Sequence, residues 1–211
     1  MGGGSSGQRI SYSKHSGSGS YNATVEDYTK DKKKPKVFIS FSMRNKAQVE
    51  LLRQQAQNEK YDLDKKHVII FAGGGNNAGD GFVVTRLLHD SGIQAVVLFC
   101  GMEEKLPDEA KVNFDRLQDI VPIVTIDNPE EFSLFTFQKN AQFILIDALL
   151  GTGVGGPLRE PLKTAIDIFN KTNGDKISID VPSGINPDTG VESEVYCTSD
   201  LIITFHDIKV G

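Results

Sequence analysis

Three short loops hold the residues of this sequence whose types and spacing suit chemistry. Residues 73–81 read Gly-Gly-Gly-Asn-Asn-Ala-Gly-Asp-Gly, residues 147–157 are an acid followed by a second glycine-rich run, and residues 180–184 read Asp-Val-Pro-Ser-Gly. Glycine lets backbone N–H groups approach an anion closely, and a following helix adds its positive N-terminal end. Asn77, Asp147 and Ser183 add side-chain oxygens. The loops therefore indicate an anionic ligand, with ligand hydroxyl groups or a hard monovalent or divalent cation beside those oxygens.

The elements that position these loops are predicted from hydrophobic patterning. Short apolar runs predict strands at residues 37–41, 67–72, 94–100, 122–126, 143–150, 176–182 and 201–205. Helical patterns are found at residues 44–60, 82–92, 108–120 and 160–172. This alternation predicts a largely parallel sheet with helices on both faces. Because ligands bind such sheets at the carboxyl ends of the strands, we expect all three loops at one rim.

Composition limits the class of protein. The chain has 211 residues, enough for one α/β domain and a tail, and its formal net charge of −5 gives no reason to expect a nucleic-acid partner. No apolar run approaches the roughly 20 residues that cross a bilayer, so no membrane association is expected and a cytoplasmic protein is predicted. Cys100 and Cys197 lack paired spacing, and we expect buried free thiols in a reducing compartment.

Several familiar catalytic motifs are absent from the sequence. There is no P-loop with its Gly-Lys-Ser/Thr ending, and no Gly-x-Ser-x-Gly nucleophile elbow. The dinucleotide fingerprint is poorly met at residues 73–78, because the ribose-binding acid is missing downstream. The four histidines are scattered without ligand spacing, which argues against zinc. Any one of the three loops alone is explained by a tight turn, but a purely structural origin explains all three together less well.

The three motifs together resemble a known family. GGGNNAGDGFVVTRLL, IDALLGTGVGGPLREPL and SIDVPSGINPDTG are similar, in order and spacing, to the NAD(P)H-hydrate epimerases of the YjeF N-terminal-domain family, over residues 65–211. Ala78 stands where that family usually has glycine. The resemblance implies a Rossmann-like three-layer αβα sandwich with a mostly parallel sheet. It also implies an isomerase for nicotinamide nucleotide repair, which interconverts the R and S forms of hydrated NADH and NADPH at C6.

The resemblance also assigns roles to individual residues. It places Asn77, Asp147 and Ser183 around a potassium ion. Epimerisation at the hydroxylated carbon needs ring opening with reclosure or reversible loss of water, and both routes need an acid or base near the hydroxyl group. We expect Asp180 in that role, with Asp80 as the second candidate. The substrate-binding residues carried over by motif position are Asn76, Asn77, Ala78, Gly79, Asp80, Gly151, Thr152, Gly153, Val154, Gly155, Gly156, Pro157 and Asp180.

The N-terminal third fits the resemblance less well. Residues 1–36 are rich in Gly, Ser and Lys and are predicted to be a disordered tail. Residues 37–64 resemble the first strand and helix of TIR-like (Thoeris-type) antiphage signalling proteins, as in a chimera or fusion with a C-terminally short epimerase domain at 65–211. Two alternatives therefore stand beside the epimerase: a catalytically impaired nucleotide-binding or scaffold protein, and a TIR-like NAD-linked signalling protein. A second copy of the chain, in a homodimer, is a further candidate partner.

Overall fold

The computed structural model describes residues 36–40, 67–134, 143–152 and 157–205. The predicted tail, the predicted helix at 44–60 and the last six residues lie outside this part of the chain. Within it, no helix is long and apolar enough to cross a membrane.

Seven strands form one sheet within the described residues, and every pairing among them is parallel. The strands are β1 (Lys36–Ser40), β2 (His67–Ala72), β3 (Ala95–Phe99), β4 (Ile123–Thr125), β5 (Phe143–Ala148), β6 (Asp175–Ile179) and β7 (Leu201–Phe205). Their order across the sheet is β1-β7-β6-β5-β2-β3-β4. β2 and β5 are central and almost wholly buried, as continuous apolar runs covered on both faces should be.

Three α-helices connect the described strands: α1 (Asn76–Asp90), α2 (Asp108–Asp115) and α3 (Leu162–Lys171). Two short 3₁₀ segments, Glu103–Lys105 and Pro129–Leu134, were not predicted from the sequence. The predicted end of α2 at residue 120 is wrong, because the regular helix stops at Asp115 and the chain continues as turns. The predicted start of α1 at residue 82 is also wrong, with consequences for the site.

The helices cover both faces of the sheet. On one face Phe82 of α1 and Phe114 of α2 pack edge to face with ring centroids 5.3 Å apart, inside a core that includes Ile70 of β2. On the other face Phe169 of α3 packs edge to face against Phe71 of β2, with centroids 5.5 Å apart. Successive residues of β2 thus enter opposite cores, which is the period-two geometry of a strand. The predicted three-layer αβα sandwich is confirmed.

The strand order also fixes where a ligand site belongs. From β2 the chain moves outward through β3 to β4, then returns to β5 on the other side of β2 and moves outward again through β6 to β7. The order therefore reverses between β2 and β5, and right-handed crossovers put α1 and α3 on opposite faces. Ligands of such sheets bind at this switch point, beside the residues that follow these two strands. Two of the three predicted loops start there, and the third follows β6 beside them.

Candidate functional site

The second half of the first glycine-rich loop is helical. α1 begins at Asn76, with Gly75 as the N-cap in extended conformation, so Asn76 to Asp80 lie in its first turns. The prediction of a loop throughout 73–81 is wrong because two of its glycines serve close packing. A Cβ on Gly79 would lie 3.1 Å from the Cα of Ala110 in α2, and a Cβ on Gly81 would lie 2.7 Å from the Cβ of Ala148 in β5.

The start of α1 is suited to an anion. No side chain caps it and no acidic residue lies in its first turn, so its first N–H groups keep their positive end uncompensated. Just before it, Gly73 approaches β5 so closely that an added Cβ would lie 1.9 Å from the carbonyl oxygen of Leu149. Ala78 is fully buried in the core under the helix, so any contact it makes with a ligand falls to its backbone.

Asp147 is the buried centre of the loops that follow β5 and β6. Its side chain is 0% exposed at the end of β5. Oδ1 accepts hydrogen bonds from the Leu149 N–H (3.1 Å) and the Ser183 hydroxyl (2.5 Å). Oδ2 accepts from the Ser183 N–H and the Ser178 hydroxyl, both at 2.8 Å. Burial raises the pKa of this carboxyl above its ordinary value, and the four hydrogen bonds offset only part of that rise.

Asn77 links α1 to this centre. Its Nδ2 donates to the carbonyl oxygen of Leu150 at 2.8 Å, and the hydroxyl of Ser183 reaches the same carbonyl at 3.3 Å. The Leu150 N–H donates back to the Ser183 hydroxyl oxygen at 2.8 Å. Asn77 is 5% exposed, yet its Oδ1 is buried without a hydrogen-bond partner. An orphaned buried oxygen is uncommon and points to a ligand the fold is built to receive.

Asp80 and Asp180 form a second acidic group. Burial, followed by the negative charge of Asp180, raises the pKa of the Asp80 carboxyl from 3.8 to about 6. Asp180 follows β6 with a φ of 66°, a left-handed conformation that Asp and Asn tolerate better than other non-glycine residues. Gly151 lies where the loops meet: an added Cβ there would be 3.1 Å from the Cβ of Asn77 and 3.8 Å from Oδ2 of Asp180.

The other predicted site residues of the β5 side follow Gly151 in the chain. Thr152 and Pro157 are exposed, and Gly153, Val154, Gly155 and Gly156 lie outside the described residues. A cavity of about 180 Å³ opens between the β5 and β6 loops, with Gly151, Ser183, Ile185 and Glu192 among its lining residues. Within the described chain, Asn77, Asp147, Gly151, Asp180 and Ser183 are brought together as expected for loops at one rim.

Three residues around Asp147 were missed from the sequence. Ser178 lies directly opposite Asp147 in the register of β5 and β6 and is fully buried. Its hydroxyl also contacts that of Ser199 at 2.5 Å. Cys197 is buried beside Asp147, and burial, then the charge of Asp147, raises the pKa of its thiol well above 9.0. A serine amid the isoleucines of Lys-Ile-Ser-Ile-Asp is the signal that could have revealed Ser178, because it faces inward from a buried strand.

The available donors fit a hard cation better than a transition metal. The described residues contain no group of three or more His, Cys, Asp or Glu side chains placed to hold a metal ion. They do contain the unpartnered amide oxygen of Asn77, the hydroxyl oxygen of Ser183 and the charge of Asp147 in one hydrogen-bonded cluster. Amide, hydroxyl and carbonyl oxygens are the ligands that hard cations prefer. Both cysteines are free and buried, as expected.

Comparisons with known proteins agree with this arrangement. The family model described as "YjeF-related protein N-terminus" matches residues 41–211. A bifunctional NAD(P)H-hydrate repair enzyme Nnr from Methanothermobacter thermautotrophicus is 37% identical over 156 residues, which are 71% of this chain and 29% of that protein. An NAD(P)H-hydrate epimerase from Nitrosopumilus maritimus is 33% identical over 151 residues, which are 71% of this chain and 68% of that protein.

A solved structure supports the same relationship. The crystal structure of the yeast protein ynu0 matches with a TM-score of 0.62 and 28% sequence identity, over 76% of this chain and 66% of that one. The chain spans less than a third of the bifunctional repair enzyme it matches. The family match also takes in most of residues 37–64, so the comparisons do not favour the TIR-like alternative. This chain belongs to the family of YjeF-related protein N-terminal domains.

Proposed function

We propose that this chain is an isomerase that interconverts the R and S forms of hydrated NADH and NADPH. Relatives named NAD(P)H-hydrate epimerase support the proposal, because one of them is matched over 68% of its own length. The observation that carries it is the pair formed by Asp80 and Asp180 at the rim of the sheet, beside Gly151. This pair gives the crevice a proton donor and acceptor.

The acidic pair suits reversible proton transfer near neutral pH. A carboxyl whose pKa is about 6 is present in both protonation states at pH 6 to 7, which is the range where a general acid–base catalyst works best. If water is lost from C6, a protonated carboxyl gives its proton to the departing hydroxyl group, and a carboxylate takes a proton from the water that returns on the other face. If the ring opens, a carboxylate takes the hydroxyl proton as the bond from C6 to nitrogen breaks, and a protonated carboxyl gives a proton to the leaving nitrogen. Asp180 remains our first choice for this role, with Asp80 as its partner.

The other end of the substrate is assigned to α1. Its uncompensated N-terminus, preceded by three glycines, suits the phosphates of a dinucleotide. Asn76, Asn77 and Gly79 are proposed to contact the phosphates and ribose with the backbone of Ala78, while Asp80, one turn further on, faces Asp180. Substrate would thus run from the start of α1 towards the acidic pair. Gly151 and Thr152, with the residues up to Pro157, are proposed to bind it from the β5 side.

We also propose that Asn77, Asp147 and Ser183 hold a potassium ion. Their fit rests on the orphaned Oδ1 of Asn77, which is buried and has no hydrogen-bond partner in the described part of the chain. Both oxygens of Asp147 already accept two hydrogen bonds each, so that residue would act chiefly through its charge. When bound, the ion would offset the negative charges gathered at this rim and hold the β5 and β6 loops together.

The test is an epimerisation assay on the chain itself. The chain is mixed with KCl and the separated R or S form of hydrated NADH, and approach to equilibrium is followed by chromatography. We expect equilibration well above the spontaneous rate. Binding of the hydrate without any acceleration would contradict the proposal and favour the catalytically impaired nucleotide-binding or scaffold protein. The cytoplasmic location and the homodimer remain predictions.

A further inference from the structure

The buried carboxylate of Asp147 is held from behind by a chain of two hydroxyl groups. Ser178 is fully buried on β6, and its hydroxyl donates to Oδ2 of Asp147 at 2.8 Å. A hydroxyl group has one hydrogen, so its 2.5 Å contact with Ser199 must be a bond that Ser178 accepts and Ser199 donates. The direction of the chain is thereby fixed: from Ser199 to Ser178 to Asp147.

The segment that carries Ser199 is itself tied down on both sides. Asn170 of α3 donates through Nδ2 to the carbonyl oxygen of Tyr196 at 2.7 Å and accepts through Oδ1 from the N–H of Thr198 at 2.8 Å. The Cys197 N–H donates to the carbonyl oxygen of Ser183 at 2.8 Å. These bonds join α3, this segment and the Ser183 turn into one unit around Asp147.

Asp147 in turn orients the groups on its open side. Its Oδ1 accepts a hydrogen bond from the Ser183 hydroxyl, and its Oδ2 accepts one from the Ser183 N–H. That hydroxyl also contacts the carbonyl oxygen of Leu150, to which the Asn77 amide donates. If Ser178 lost its hydroxyl, Oδ2 would keep only the Ser183 N–H, and three hydrogen bonds instead of four would hold the carboxylate. The orientation of Ser183 and Leu150 towards Asn77 would then be less firmly fixed.

We infer that Ser178 and Ser199 are positioning residues for the cation site formed by Asn77, Asp147 and Ser183. The inference rests on the proposed cation site, but it does not require epimerisation itself. Groups that orient a metal ligand from behind change metal affinity about 10- to 100-fold when they are removed. The two serines therefore act on cation affinity through Asp147, without touching the ion or the substrate.

The experiment measures thermal unfolding against KCl concentration, with choline chloride keeping the ionic strength constant. A ligand that binds the folded state raises Tm with its concentration, so the curve gives the half-saturating K⁺ concentration without any activity measurement. We expect Ser178→Ala to raise that concentration about 10-fold and Ser199→Ala, whose side chain is less buried and one bond further away, about 3-fold.

A matched control separates orientation of the carboxylate from general stability. Thr172 donates its hydroxyl to the carbonyl oxygen of Ile168 at 2.7 Å at the end of α3, without a bond to Asp147. We expect Thr172→Val to lower Tm at every K⁺ concentration while leaving the half-saturating concentration unchanged. If both serine variants behaved like Thr172→Val, the inference would be wrong and the serines would be structural only.

Failure of the inference and failure of the proposed function are distinguishable. A wild-type chain that shows no K⁺-specific rise in Tm but accelerates epimerisation would overturn the cation site and this inference, while the epimerase proposal stood. If Ser178→Ala does not fold, Ser199→Ala gives the same comparison at a partly exposed position. An unchanged half-saturating concentration in that variant would then overturn the inference.

Discussion

Two acidic centres lie at the same rim of the sheet, and they differ in the hydrogen-bond donors that surround the carboxyl group. Asp147 is fully buried but receives four hydrogen bonds, one pair on each oxygen. Asp80 is only partly buried, yet its pKa rises to about 6, because burial and the charge of Asp180 both act on it without such a set of donors. Burial raises the pKa in both centres, but of the two carboxyls Asp147 is the one whose oxygens are held in place by hydrogen-bond donors.

The difference shows that a place at this rim does not by itself decide what an acid can do. The hydrogen-bond donors that the neighbouring turns supply also matter, because they hold the carboxyl in one orientation. The Ser183 turn supplies two such donors to Asp147. We therefore expect substitutions in the two centres to affect different measurements: rates in one, stability and cation response in the other.

The largest effect is expected from Asp180→Asn. Asparagine tolerates the left-handed backbone at this position, so the fold should be kept while proton transfer is lost. The epimerisation rate should fall about 100-fold or more, and the affinity for the hydrate should change only a few-fold. Asp188→Asn, an exposed position in the same stretch, is the control and should leave the rate unchanged. Intact binding with an unchanged rate in Asp180→Asn would rule out the assigned role.

Asp147→Asn should mainly affect stability. Each oxygen of Asp147 accepts one backbone N–H, from Leu149 or from Ser183, so either orientation of the new amide points its NH₂ group at a backbone donor. The free energy of unfolding in urea should fall by about 1–3 kcal/mol, and the K⁺-dependent rise in Tm should disappear. The control is Asp167→Asn, which removes an exposed pair with Lys171 and should cost less than about 0.5 kcal/mol. Equal losses of unfolding free energy in the two variants would contradict the view that the hydrogen bonds of buried Asp147 stabilise the fold.

The smallest effect is expected from Asp80→Asn, and its sign depends on pH. The folded protein holds the Asp80 proton up to about pH 6, against an ordinary pKa of 3.8, so the ionised form is disfavoured by folding. That cost is present above pH 6, shrinks as the pH falls from 6 to 4, and is absent below. The variant should therefore be more stable than the wild type at pH 7–8, by up to about 1 kcal/mol because solvent screens the partly exposed carboxylate.

The matched variant for this pH series is Asp90→Asn, at an exposed position of the same helix where the acid pairs with Arg86. Its stability relative to the wild type should not rise with pH. In kinetics, the wild type should show a change in rate near pH 6 that Asp80→Asn removes. A wild-type epimerisation rate that stays constant between pH 5 and 7 would contradict the coupling of Asp80 to Asp180. Asp80 and Asp147 would then differ in burial and hydrogen bonding alone.

Much of the fold could be predicted because its strands are short, continuous apolar runs. The expected strand at 67–72 matches β2, and that at 201–205 matches β7, while the others differ by a few residues at their ends. The placement of Asp147, Asp180 and Ser183 at one rim follows from parallel strands alone. The start of α1 could not be predicted in the same way, since glycine and asparagine disfavour a helix locally and only packing against α2 and β5 explains why they form one.

The finer features of the site depend on tertiary contacts that no local pattern encodes. The left-handed backbone at Asp180 and the orphaned oxygen of Asn77 appear only when three chain segments meet. Cys197 and Ser199 lie more than 15 residues after the start of the Asp-Val-Pro-Ser-Gly motif, and nothing in their spacing marks them. Cys197 lies beside Asp147, and Ser199 is linked to Asp147 through Ser178. The motif residues could therefore be found from the sequence, whereas the residues that orient them could not.

The two glycines inside α1 bear on how this site comes into existence. Each glycine in a helix interior costs about 1 kcal/mol relative to alanine, so a 15-residue peptide with this sequence would not be helical in water. The helix exists because α2 and β5 offer a surface that only glycine can approach. Asn76 to Asp80 therefore depend on these neighbours for their geometry, and a transplanted loop without this sheet would carry the motif but not the site.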